Sequence, residues 1–182
     1  AFICAFCGFQ AEHPLVVQLK QRRSLKPRLH IWSSVYSGVA AALAFYLYWQ
    51  QENLLSPLLW IYLGAIVAFL IDAISVFYRE QKSILNELIT FFAVCLSAPL
   101  AYVVTTGTLS PLALGMWLLN SLFFSSAIFT VKFRKHKQHP ITPSLVYHTI
   151  ASLMVISLWA IGWLFPFTAI AFSMALLKLG LI

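Results

Sequence analysis

The stretch PLLWIYLGAIVAFLIDAISVFYREQK, residues 57–82, decides the class of this chain. Its first part, Pro57–Phe77, holds one acidic side chain, Asp72, and no basic one; Arg79, Glu80 and Lys82 then follow closely. A helix rises about 1.5 Å per residue, so a run of this length crosses a hydrocarbon core about 30 Å thick. A soluble helix would need a polar face, and this run offers almost none.

Working outward, the same unit recurs. Apolar stretches of spanning length are Ile31–Trp49, Leu88–Thr105, Pro111–Val131 and Ser144–Leu164. Pro166–Ile182 is a sixth, cut short by the end of the chain. Ala1–Phe9 is too short to span and reads as the end of a preceding helix, so the expectation is one transmembrane domain over 1–182, truncated at both ends. Eleven of the twelve Lys and Arg residues fall in Lys20–Arg28, Arg79–Lys82 and Lys132–Lys137, and the alternate connections near 50–56, 105–110 and 164–167 have none. That alternation is the positive-inside pattern, which places the basic loops on the cytoplasmic (or stromal) side. The expected location is a bacterial plasma membrane or a thylakoid membrane.

Composition agrees. The chain is 61% hydrophobic and 9% charged, with a mean hydropathy of +0.86. A soluble domain carries about 25% charged residues. The net charge of +7 would suggest nucleic acid in a soluble protein. Here the cations flank apolar spans and meet anionic headgroups, so no nucleic-acid partner is expected. The fold class is all-α: a polytopic transmembrane helical bundle built from tandem helical hairpins.

Pro57, Pro111 and Pro166 each open a returning helix and lie 54 and 55 residues apart. Proline at a first helical position sacrifices no hydrogen bond, and Ser56 and Ser110 before it are good N-caps. Small residues set the expected packing faces: Ser33, Ser37 and Ala41; Ser34, Gly38 and Ala42; and Ser121, Ser125 and Ser126.

The candidate site is a polar cluster at the basic-loop end. Asp72 lies about five residues inside its span, where an ionised group costs roughly 2.5 kcal/mol or more unless paired. Arg79 is two turns on, and Lys132 or Arg134 can approach from the next hairpin. With Glu80, Ser83 and Glu87 these residues make either a structural ion-pair network or a pocket for a lipid, quinone or pigment headgroup. His30 and His148, both at helix ends near basic loops, are weaker candidates as axial ligands of a haem or chlorophyll. His13 reads as a turn residue where the first helix exits. Cys4 and Cys7 form a lone CxxC in apolar sequence, which reads as structural. No metal site is expected.

Enzyme chemistry has little support. Prenyl transfer through a magnesium-held diphosphate needs several clustered carboxylates, and the chain has one Asp. No catalytic residue is assigned. Transport rests on Pro99, expected to kink the third span with Ser97 bonding a freed carbonyl, and on Asn120 in the fourth.

Three stretches resemble the YwiC-like family of bacterial membrane proteins: HPLVVQLKQRRSLKPRLHIWSSVYSG from His13, REQKSILNELITFFAVCLSAPLA from Arg79, and ALGMWLLNSLFFSSAIFTVKFRKHK from Ala113. The matching features are His13–Leu15 before a basic loop, the pattern Arg79, Lys82, Ser83 and Glu87, and the Ser-rich run from Ser121 to Arg134. Members generally begin with a His-Gly-Ala-Trp segment, which would precede Ala1. The family is functionally uncharacterised, so the resemblance implies a fold and a location rather than a reaction. The expected role is binding or assembly, with the bilayer and subunits of a larger membrane complex as partners. A membrane enzyme on an isoprenoid or lipid substrate, or a small transporter, is the alternative.

Overall fold

The computed structural model describes residues 1–21, 26–51, 56–78, 83–135 and 142–180, whose regular structure is all helix, with no strand among them. They form two compact units, Ala1–Leu109 and Ser110–Ile182.

The first unit holds α1 (Phe2–Gln21), α2 (Pro27–Trp49), α3 (Pro57–Phe77), α4 (Ile84–Cys95) and α5 (Ser97–Thr106). α1 does not end at Phe9 but runs on through Pro14. A proline inside a helix forfeits one backbone bond. The stripe Cys4, Cys7, Ala11 and Pro14, spaced at helical intervals and buried, shows what holds the segment in line. His13 is therefore an exposed mid-helix residue rather than a turn.

α1 and α2 are antiparallel. The Cys4 thiol donates to the Ala40 carbonyl at 3.5 Å, and seven residues on, Ser33 donates to Ala11 at 3.3 Å. Of the small-residue faces expected on α2, only Ser33 is buried; Ser37, Ala41, Ser34, Gly38 and Ala42 are exposed. At the other end of α1, Ala1 and Ala5 pack on a core of Leu58, Ile61, Leu100 and Val103.

α3 has the expected bounds. Ser56 caps it, accepting from the Leu58 N–H at 3.2 Å, and Pro57 takes the first position. Ser56 is 2% exposed, so water cannot replace the cap. Ser56→Ala should cost about 1 kcal/mol, read from equilibrium unfolding in detergent. The third span is interrupted: α4 stops at Cys95, Leu96 is a turn, and α5 resumes at Ser97. Pro99 has no N–H for the Cys95 carbonyl, which explains a break one turn before it. Ser97 is exposed.

The second unit holds α6 (Pro111–Lys135), α7 (Thr142–Ala160), α8 (Pro166–Ile170) and α9 (Ser173–Gly180). Ser110 caps α6 through the Ala113 N–H at 3.2 Å. α7 ends four residues earlier than the apolar run does. Gly162 adopts φ +79°, its N–H bonds the Trp159 carbonyl and the Trp163 N–H bonds Leu158, which is a Schellman closure. α6 and α7 are antiparallel: Phe129 stacks on Tyr147 with centroids 4.2 Å apart, and Gly115 lies against Trp163. Their core is Leu119, Leu122, Ala151, Val155, Leu158 and Leu164, closed by Phe172 and Ala175. The run from Pro166 is two short helices with a turn at Ala171–Phe172, not one rod, and the turn buries Phe172 in that core.

Five segments are long and apolar enough to cross a membrane: Pro27–Trp49, Pro57–Phe77, Ile84–Thr106, Pro111–Val131 and Thr142–Ala160. Their outer faces carry large exposed hydrophobics such as Ile66, Val67, Leu70, Leu153 and Ile156. Trp49, Trp60 and Trp159 are exposed beside the turns, where aromatic belts form. Such apolar continuity is untenable in water, and the chain is an integral membrane protein.

Candidate functional site

The expected cluster was built around Asp72, and Asp72 is where the structure concentrates polar contacts. It sits on α3 five residues before the helix end and is 9% exposed. The Asn86 Nδ2 of α4 donates to its Oδ1 at 2.7 Å. From α1, the Glu12 side chain hydrogen-bonds the same carboxyl group. Three helices thus meet through a carboxyl, a second carboxyl and an amide.

Each participant is fixed by its own segment. Ser83 is the N-cap of α4, its Oγ accepting from the Asn86 N–H at 3.2 Å, which places Asn86 in the first turn facing α3. Asn86 itself is 4% exposed, and its carbonyl accepts from Thr90 Oγ1 at 3.0 Å. Glu87 is the next residue of that turn, half-buried, its negative charge favourable beside the helix N-terminus. Glu12 follows Ala11, whose carbonyl receives the Ser33 hydroxyl, so the α1–α2 contact sets its height.

A carboxylate is only an acceptor, so two carboxyl groups hydrogen-bond each other when one keeps its proton. Two ionised groups at that distance would also repel in a medium of low dielectric. Burial first, and then the neighbouring Asp72 carboxylate, push the Glu12 carboxyl up to about 7, so it holds a proton more readily than an exposed glutamate. Such a group can take or release a proton, or accept hydrogen bonds from a cationic or hydroxyl-bearing head. It is a poor seat for an anion.

Of the expected site residues, the structure brings Asp72 and Ser83 to this junction through Asn86, with Glu87 adjacent in sequence. Arg79 and Glu80 lie outside the described residues, and of Lys132 and Arg134, on the last turn of α6, only the backbone is described. Glu12 and Asn86 were not anticipated. The stripe Cys4, Cys7, Ala11 and Pro14 was the available signal for Glu12, because it continues α1 into the depth of the other helices.

His30 is exposed, whereas His148 is 1% exposed inside the second unit. Cys4, Cys7 and Cys95 are buried free thiols. Among the described residues no three His, Cys, Asp or Glu side chains group closely enough to hold a metal ion.

No curated protein and no solved structure matches the chain. The sequence profile of a family described as YwiC-like protein matches residues 1–102, which includes Glu12, Asp72, Ser83, Asn86 and Glu87. Two of the three resembling stretches lie within that match and the one from Ala113 does not. Because the match spans more than half of its 182 residues and takes in every contact of the carboxyl junction, this integral membrane protein belongs to the YwiC-like family.

Proposed function

We propose that the protein is of binding type and that the Glu12–Asp72–Asn86 junction seats the polar head of a membrane-soluble ligand. A head that donates hydrogen bonds or carries positive charge fits: a quinol hydroxyl, a hydroxylated or amine-bearing lipid, or a pigment with such a group. The observation that carries this reading is the carboxyl pair with Asn86 at 2.7 Å from Asp72, since intramembrane carboxyls are costly without a task. By the positive-inside rule the junction lies toward the cytoplasmic face.

The test is co-purification. Protein extracted in mild detergent should retain a lipid-soluble molecule detectable by mass spectrometry and, for a pigment, by absorption. Asp72→Asn, close in shape but without the ionisable group, should reduce retention about tenfold, equivalent to about 1.4 kcal/mol. Equal retention by wild type and variant would end the proposal. Glu87→Gln and Arg79→Ala should each weaken retention more than His136→Ala.

The Glu12 carboxyl, pushed up to about 7 by burial and by Asp72, favours a second reading, proton-coupled transport. Here vesicles bearing the wild type would show substrate-driven proton movement, abolished by Glu12→Gln, while bound lipid would be unchanged.

A further inference from the structure

The bond between the Glu12 and Asp72 side chains needs a hydrogen, because the oxygens of an ionised carboxyl only accept. Asp72 already accepts from the Asn86 amide at 2.7 Å, which marks it as the acceptor of the pair. The hydrogen of the contact then belongs to Glu12, half-buried on α1. Without it, two negative groups would face each other with little water between to screen them. A positively charged donor can take the place of that hydrogen.

The chemistry of the guest narrows from there. A hydroxyl head brings no charge, so Glu12 would keep its own hydrogen on binding. A quaternary ammonium brings charge but no N–H. A primary ammonium supplies both, with three donors for the oxygens of Glu12 and Asp72. The described elements around Glu12 offer no buried rival for that position. α3 presents Asp72, and α4 presents Asn86 and the half-buried Glu87. On α2 the contact is made by Ser33, while His30 and Arg28 nearer the helix start are exposed. His13, next to Glu12 on α1, is exposed as well, and α5 carries no charged side chain.

Taking the junction as the ligand seat argued above, we propose that it exchanges a proton for an amine: the primary ammonium head of a long-chain amine or an amine-headed lipid enters between Glu12 and Asp72, and the Glu12 carboxyl gives up its proton to water. The O–H bond of Glu12 breaks and its electron pair stays on the carboxylate. The released proton balances the charge that the ammonium brings in. Burial and Asp72 hold the Glu12 carboxyl up at about 7, so this proton is exchangeable near neutral pH. Cation and proton compete for one carboxyl, so amine affinity rises with pH until Glu12 is fully ionised.

Dodecylamine and dodecanol, titrated at pH 6 and pH 8 into the full chain in phosphatidylcholine nanodiscs with empty discs as blank, test this. An aliphatic amine stays charged across that range. With the exchange centred at about 7, dodecylamine should bind about tenfold tighter at pH 8, and dodecanol equally at both. Glu12→Gln should abolish the difference, whereas His13→Gln should keep it, which separates the carboxyl from the imidazole beside it. An amine affinity equal at both pH values, or a difference that survives Glu12→Gln, overturns the exchange while leaving a seat in place. Binding of neither probe removes the seat itself, and the exchange with it. An ethanolamine lysophospholipid that shows the same pH dependence supports the exchange with a lipid as its source. The dependence with dodecylamine alone supports it with a free amine.

Discussion

Asp72→Leu should lower the stability of the first unit by about 3 kcal/mol, because it strips a partner from the buried Asn86 and the half-buried Glu12 at once. Glu12 would lose its side-chain partner, and the Asn86 amide would lose an acceptor at 2.7 Å. In water a vacated partner is replaced by solvent; at the depth of Asp72, five residues inside a spanning helix, little water is available to do so. Asp72→Asn retains an oxygen acceptor for Asn86 and an oxygen or amide for Glu12, so it should cost less than about 1 kcal/mol. The comparison separates architecture from ligand: leucine changes folding, whereas asparagine changes only retention of a bound head. Equilibrium unfolding in detergent reads the first effect. Leucine and asparagine variants of equal stability would mean that Asp72 does not tie α1, α3 and α4 together.

The junction also shows where the sequence was readable. Spans were legible because bilayer thickness imposes a length and basic residues mark the ends; α3 came out at its expected bounds, and Ser56–Pro57 is a local start signal independent of tertiary context. Two local signals were outvoted by the apolar run around them. Gly162 closes α7 by adopting φ +79°, yet in the sequence it sits inside IGWLF, which is apolar enough to hide the stop. Pro14 normally argues for a boundary, but the buried stripe through Ala11 carries α1 past it. The partners of Asp72 were missed for a chemical reason. A lone carboxylate in a membrane invites a search for a cation, and Arg79 stands two turns away. The described partners are instead an amide and a second carboxyl, and Glu12 stands sixty residues upstream, where only the buried stripe of α1 hints at its depth.

Gly115→Val should be among the most damaging single substitutions in the second unit, while the same class of change at Gly64 should be harmless. A Cβ on Gly115 would stand 2.6 Å from the Trp163 carbonyl oxygen, 3.2 Å from its carbon and 3.3 Å from Leu164 Cδ2. The obstacle is backbone, and that backbone cannot easily retreat: the Trp163 N–H is bonded to the Leu158 carbonyl at 2.9 Å, one residue after the left-handed Gly162. Moving it would open the closure of α7 and pull Leu164 out of the core it shares with Leu119. Overpacking of this kind costs about 1–3 kcal/mol, with alanine toward the lower end and valine at or above the upper. At Gly64 the nearest atom to a new Cβ is Leu96 Cδ1 at 3.6 Å, an ordinary contact made by a flexible side chain. Alanine there removes a weak helix former and should leave stability unchanged or raise it by up to about 1 kcal/mol. Thermal unfolding of the two alanine variants and of Gly115→Val, purified side by side, gives the order. If Gly115→Ala proves as stable as Gly64→Ala, the close approach of α6 to the Trp163 turn is not a feature of the folded protein.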